Sequence, residues 1–221
     1  MAPRTIVAIG GFAEPGPLVD YVLGVARGRR FLYVPTAGME NSDYTVWWYG
    51  IAAKHGAAMT HLHFFPWPPA DLRERVLDHD VVFVAGGNTA NMLAVWRLHG
   101  FDGILREAWE AGVVLAGWSA GAICWFEAGV TDSFGPQLAG MDCLGFLAGS
   151  ACPHYDGEAA RRPRYAELLR DGFPPGLAID DDVAVRFDGT ELAEVVTARE
   201  GATAYRVTTD AEEPLEARLL A

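Results

Sequence analysis

Gly117-Trp118-Ser119-Ala120-Gly121 sets a serine between two glycines. This is the G-x-S-x-G spacing of a nucleophile held on a sharp strand-to-helix turn. Such a turn needs small neighbours, because its backbone passes close to the elements on either side. The apolar run Val113-Val114-Leu115-Ala116 leads into the first glycine, and small residues follow the second. Unbonded N–H groups at the helix start would face negative charge developing on a substrate oxygen. The same five residues also suit a plain tight turn in which Ser119 only caps a helix.

An unassisted serine hydroxyl is a poor nucleophile at neutral pH, so a base is the next requirement. Of the six histidines, His154 follows the serine in Ala151-Cys152-Pro153-His154-Tyr155-Asp156, after the apolar Leu144-Gly145-Phe146-Leu147. That places it at a strand end or loop start, where active-site residues concentrate. A solvent-facing loop histidine is the alternative. His61 and His63 share one face of an expected strand, while His55, His79 and His99 fall near expected helix ends. The orienting carboxylate has two candidates. Asp132 lies in Thr131-Asp132-Ser133, and Asp181 lies in the run Asp180-Asp181-Asp182. Three adjacent acids repel one another, so that run implies exposure, a cation or a chemical role.

Alternating strands and helices would position these groups. Strands are expected at Thr5–Ile9, Phe31–Pro35, Met59–Phe65, Val81–Ala85 and Val113–Ala116. Helices are expected over 17–26, from Ser42 or Asp43 to about His55, over 71–77, 90–99 and 104–111, and after Ser119. Strands apolar throughout and separated by helices imply a parallel sheet covered on both faces. Leu177–Phe187, Leu192–Thr197 and Ala204–Val207 alternate more, and are expected to extend the same sheet in antiparallel fashion. The fold class is therefore α/β, a three-layer sandwich on a mainly parallel sheet. One domain over 1–221 is expected, since neither a repeat nor a linker interrupts the chain.

At 221 residues with 51% hydrophobic and 21% charged side chains, the chain can bury a sizeable core. Its net charge of −12 opposes nucleic acid and anionic membrane as partners. The three cysteines, Cys124, Cys143 and Cys152, form neither a disulfide framework nor a zinc pattern. With no signal-peptide pattern and no spanning apolar run, a cytoplasmic setting is expected. Gly10-Gly11 and Gly86-Gly87 lack the full spacing of a nucleotide-binding loop.

Three blocks in order carry a family resemblance: Ala85-Gly86-Gly87-Asn88-Thr89, Gly117-Trp118-Ser119-Ala120-Gly121-Ala122, and Pro153-His154-Tyr155. Together they resemble peptidase E, the aspartyl dipeptidase family, with cyanophycinase a more distant relative. The resemblance implies a fold like the class I glutamine amidotransferases, with serine in place of cysteine. It implies Ser119 as nucleophile and His154 as general base. It also implies Gly87 and Ala120 as oxyanion donors, with Asn88 and Thr89 shaping the same wall. For the third member it leaves Asp132, slightly preferred, and Asp181, where relatives commonly carry Glu. The family activity is hydrolysis of dipeptides with an N-terminal aspartate, for which Arg161, Arg162 and Arg164 are candidate readers. Neither metal nor cofactor is implied. The expected partner is a small peptide, and the expected assembly a monomer or homodimer. An esterase, a β-aspartyl peptide hydrolase or an inactive binding protein on the same site are the alternatives.

Overall fold

The computed structural model describes residues 3–220. Five parallel strands form its centre: β1 (Thr5–Ile9), β2 (Arg30–Val34), β3 (Ala58–His61), β4 (Val81–Val84) and β5 (Val114–Trp118). Between them run α1 (Gly16–Val25), α2 (Ser42–Lys54), α3 (Leu72–Leu77), α4 (Thr89–Leu98) and α5 (Phe101–Glu110). Strand residues alternate between the two covered faces. Val7, Ile9, Phe31, Tyr33, Val81 and Phe83 pack with Leu18, Val22 and Trp48 of α1 and α2. Ile6, Ala8, Leu32, Val34, Val82 and Val84 pack on the other face with Leu93, Trp96 and Leu105 of α4 and α5. Burial on both sides explains why these strands read as unbroken apolar runs.

After β5 come α6 (Ala120–Ile123), β6 (Phe126–Thr131), β7 (Ala139–Asp142), β8 (Leu147–Cys152) and α7 (Arg161–Arg170). The chain then forms β9 (Gly176–Ile179), β10 (Val183–Asp188), β11 (Glu191–Thr197), β12 (Ala204–Val207), β13 (Glu212–Pro214) and β14 (Arg218–Leu219). The central sheet has eight strands in the order β14-β11-β10-β1-β5-β4-β2-β3. β10 pairs antiparallel with β1 and with β11, which is the expected late extension.

The expectation of one continuous sheet is corrected: Ala204–Val207, expected to extend the central sheet, is instead β12 of a second one. This second sheet of six strands runs β13-β12-β9-β8-β6-β7. The run from Leu177 to Phe187 is not one strand. It breaks at Asp180-Asp181-Asp182, leaving β9 in the second sheet and β10 in the central one. Asp182 takes φ 66° there, which ends the extended conformation. Helix boundaries agree within a few residues, but the cap of α2 is Asn41, whose side chain accepts the Tyr44 N–H. Phe126, Leu147, Leu177 and Ile179 of the second sheet join the core on the α4–α5 face. Among the described residues no helix is long and apolar enough to cross a membrane.

Candidate active site

The ends of β1, β4 and β5 converge, as ligand sites do at the carboxyl ends of strands in an open α/β sheet. Ser119 follows β5 with φ 54° and ψ −112°, a conformation that costs an L residue energy and persists only where its surroundings enforce it. Its N–H donates to the Ile9 carbonyl at 3.0 Å, and its carbonyl accepts from Ala122 and Ile123. The flanking glycines are sterically required. A Cβ on Gly121 would lie 2.3 Å from the Val84 carbonyl oxygen, and one on Gly117 would lie 2.6 Å from the same atom. The end of β4 thus presses directly on the turn. α6 is a single turn of helix, so individual N–H groups rather than a long helix dipole are what it offers.

Gly87 stands across from Ser119 with φ 136°, and a Cβ there would meet the Ala37 carbonyl oxygen at 2.1 Å. Among the described residues, the Gly87 and Ala120 N–H groups donate to no backbone carbonyl. Asn88 caps α4 by accepting from Asn91 at 2.8 Å, and its amide donates to the Ser133 carbonyl at 3.0 Å. Thr89 is buried as the first residue of α4, behind the wall.

His154 follows β8, as expected, in a left-handed conformation with φ 52°. Its Nδ1 lies 2.7 Å from Asp181 Oδ1. An ionised carboxylate only accepts, so this contact puts the ring proton on Nδ1 and leaves Nε2 as the acceptor. The bond to His154, ahead of all other influences, holds the Asp181 carboxyl below the usual carboxylate range. Two glycines clamp the pair. A Cβ on Gly11 would lie 2.0 Å from Asp181 Oδ1 and 2.5 Å from His154 Nδ1, and one on Gly157 would lie 2.1 Å from Asp181 Oδ2.

The preference for Asp132 over Asp181 as the partner of this ring is therefore reversed. Asp132 comes after β6, not directly after the nucleophile helix, and no hydrogen bond joins it to His154 among the described residues. It lines instead a polar cleft of about 250 Å³ that also holds Ser119, His154, Gly87 and Asn88. Glu158 and Arg161 complete the lining. The cleft thus gathers Ser119 and His154, although no direct hydrogen bond between them is formed. Catalytic contacts of this kind often tighten only with substrate bound.

Arg161 is 3% exposed; its Nε donates to Glu158 Oε2 at 2.7 Å and its Nη1 to the Val130 carbonyl at 3.0 Å. Arg164 turns away, to the Leu138 carbonyl and Glu167, and Arg162 pairs with Glu212. A larger hollow of about 500 Å³ lies between Leu147, Leu177, Phe187 and Arg206, and none of these catalytic candidates lines it. Among the described residues no group of three or more His, Cys, Asp or Glu is arranged to hold a metal.

Four contributors escape sequence reasoning: Gly11, Gly157, Asp156 and Arg199. Asp156 accepts the Asp181 N–H at 2.8 Å, and only its nearness to His154 in the chain could have flagged it. Arg199 lies 45 residues beyond His154 in the numbering and reaches the site only through folding.

The family model of peptidase family S51 matches residues 13–195. A protein of Bacillus subtilis (strain 168) called "Uncharacterized peptidase YgaJ" is 45% identical over 212 residues, covering 92% of each chain. A protein of Citrobacter koseri called "Peptidase E" is 32% identical over 155 residues, covering 64% of this chain and 66% of that relative. The crystal structure of a peptidase from an acI-B1 Actinobacterium superposes with a TM-score of 0.69 at 20% identity, covering 96% of this chain and 94% of that one. That last likeness concerns the fold, which is shared across nearly the whole chain. With the family model spanning most of its length, the chain belongs to peptidase family S51.

Proposed function

We propose that the chain is a serine peptidase that hydrolyses short peptides, in particular dipeptides with an N-terminal aspartate, through an acyl-enzyme on Ser119. The observation that carries this reading is the strained Ser119 sharing one cleft with a histidine whose far nitrogen is bonded to a carboxylate. In the proposed reaction Ser119 Oγ attacks the peptide carbonyl as His154 Nε2 takes its proton. Gly87 and Ala120 donate their N–H groups to the oxyanion. His154 then protonates the leaving amine, the C–N bond breaks, and water repeats the sequence on the ester. Asp181 keeps the ring in the required tautomer and stabilises the imidazolium that forms.

The cleft is small and polar, which suits a short charged substrate. The buried guanidinium of Arg161 is the group to pair with an acidic side chain. Asp132 accepts no hydrogen bond on its carboxylate from a described residue, and it faces the same cleft. That position suits recognition of a free α-ammonium. The reading takes the chain as one cytoplasmic catalytic domain over 1–221 that needs no cofactor.

A fluorophosphonate probe tests the nucleophile. It should label the wild type and spare Ser119→Ala; labelling that survives the substitution removes Ser119 from the mechanism. A panel of Asp-X, Glu-X, Ala-X and β-aspartyl dipeptides with simple esters then tests the substrate. Preference for an ester or a β-linked peptide would replace the dipeptidase assignment while leaving the serine chemistry intact.

A further inference from the structure

Asp181, which meets His154 Nδ1, lies among three further acids, Asp156, Asp180 and Asp182, and one guanidinium reaches into the group. Arg199 Nε donates to Asp182 Oδ2 at 3.2 Å, and Nη2 donates to the Asp181 carbonyl at 3.1 Å and to Asp156 Oδ2. Asp156 uses its other oxygen to accept the Asp181 N–H at 2.8 Å. Asp182 uses its other oxygen to accept the Ala13 N–H at 2.9 Å. Arg199 therefore fastens the turn between β9 and β10 to the loop after His154, and through Asp182 the same turn is tied to the loop after β1. Its own backbone is fixed by Thr197, whose hydroxyl accepts the Arg199 N–H at 3.1 Å and donates to the Arg199 carbonyl at 2.8 Å.

We propose that Arg199 is a positioning residue for the His154–Asp181 pair, holding the Asp180–Asp182 turn against the His154 loop so that Asp181 meets Nδ1. The proposal rests on the assignment of Ser119, His154 and Asp181 given above. The physical reason is that the turn cannot hold this shape unaided. Carboxylates gathered this closely repel one another, and Asp182 sits in a left-handed conformation. A guanidinium fork bridges several acceptors in fixed directions, which an ammonium does not. Arg199 is about half exposed, with a side-chain exposure of 44%. Its ion pairs therefore add little to global stability, and their effect falls on geometry.

Asp181 is faced by His154 from the loop after β8, by Arg199 from the turn after β11 and by Arg161 from α7. Asp180 and Asp182 flank it in its own turn, and Asp156 stands beside it on the His154 loop. Removing Arg199 takes away positive charge, so it raises the proton affinity of the pair. The acid limb of reactivity should then move to higher pH.

The test compares fluorophosphonate labelling rates of wild type, Arg199→Ala, Arg199→Lys, Asp181→Asn and Ser119→Ala between pH 4 and 9, with circular dichroism as the check on folding. Arg199→Ala is expected to fold, to label roughly tenfold or more slowly, and to show its acid limb displaced upward. Millimolar guanidinium should restore part of the rate. Wild-type rate and limb in Arg199→Ala overturn the proposal, provided that Ser119→Ala stays unlabelled and Asp181→Asn is slowed. Labelling of Ser119→Ala would instead overturn the assignment beneath it. If Arg199→Ala does not fold, Arg199→Lys decides: it keeps the charge and loses the fork, so slower labelling supports the role and a wild-type rate rejects it.

Discussion

At the scale of single residues, what distinguishes the site is how little freedom its parts retain. Ser119, His154 and Asp182 all carry positive φ; Ser119 and Asp182 are held by backbone bonds from other segments, and His154 by its ring bond to Asp181. A Cβ on Gly11 or Gly157 would collide with the Asp181 carboxylate, so the two glycines keep its place open. The close approach of these loops is what brings the short aspartate side chain to 2.7 Å from His154 Nδ1. Two substitutions separate the roles of the two candidate acids. Asp181→Asn replaces the accept-only carboxylate with an amide that can also donate, so the tautomer is no longer fixed and Ser119 labelling should slow on the order of a hundredfold or more. Asp132→Asn should leave labelling near the wild-type rate, yet raise KM roughly tenfold for dipeptides with a free amine, the scale of one charge-assisted hydrogen bond. N-acetylated substrates should not register the Asp132 change. Equal slowing of labelling by both variants would return Asp132 to the catalytic set. Gly11→Ala tests the clamp: its methyl would collide with both members of the pair. It should therefore abolish labelling while the far-UV circular dichroism stays native.

At the scale of elements, the nucleophile turn depends on β4 and β5 lying in register, with Val84 opposite Gly117. The Val84 carbonyl then touches both glycines of the motif. Gly121→Ala forces α6 away from β4, at a cost of about 1–3 kcal/mol typical of overpacking. Chemical denaturation should read that loss, and labelling should fall more steeply than stability. This part of the structure was legible in the sequence, because contiguous apolar strands and the G-x-S-x-G spacing are local signals. So was His154, which follows a strand in the chain as it does in space. The partition of C-terminal strands between two sheets was not legible. Leu177 to Phe187 reads as one alternating strand, and only tertiary pairing shows that β9 joins β8 while β10 joins β1. For the same reason the choice of Asp181 over Asp132 was out of reach. Asp181 meets His154 because two sheets meet there, and the separation along the chain carries no trace of it. Arg164 and Arg162 were plausible beside Arg161, yet successive helical residues face different directions, and of the three only Arg161 lines the cleft.

At the scale of the whole molecule, the acidic turn is one of the places where the chain crosses from the second sheet to the central one, so its protonation bears on how the two are joined. Asp180 and Asp181 lie side by side and respond to the fold in opposite senses. Burial lifts the Asp180 carboxyl above the ordinary range, and one of its oxygens is buried without a partner. The bond to His154 lowers Asp181. For Asp181 the ionised form is favoured by folding. Its contribution is fully present above the unfolded value, about 3.9, and disappears as pH falls through the lower folded value. For Asp180 the neutral form is favoured. Its contribution is present below the unfolded value and is lost as pH rises through the raised folded value. Asp180→Asn should therefore stabilise the protein most at neutral pH, with the gain shrinking as the medium is acidified. Asp181→Asn should destabilise it at neutral pH, with the loss vanishing in strong acid. Urea denaturation of the two variants and wild type at pH 7, 5 and 3 measures both trends. Parallel curves across that range would mean that neither carboxylate is coupled to folding. In that case the two sheets would be held together by their shared apolar core, through Phe126, Leu177 and Ile179, without help from the acidic turn.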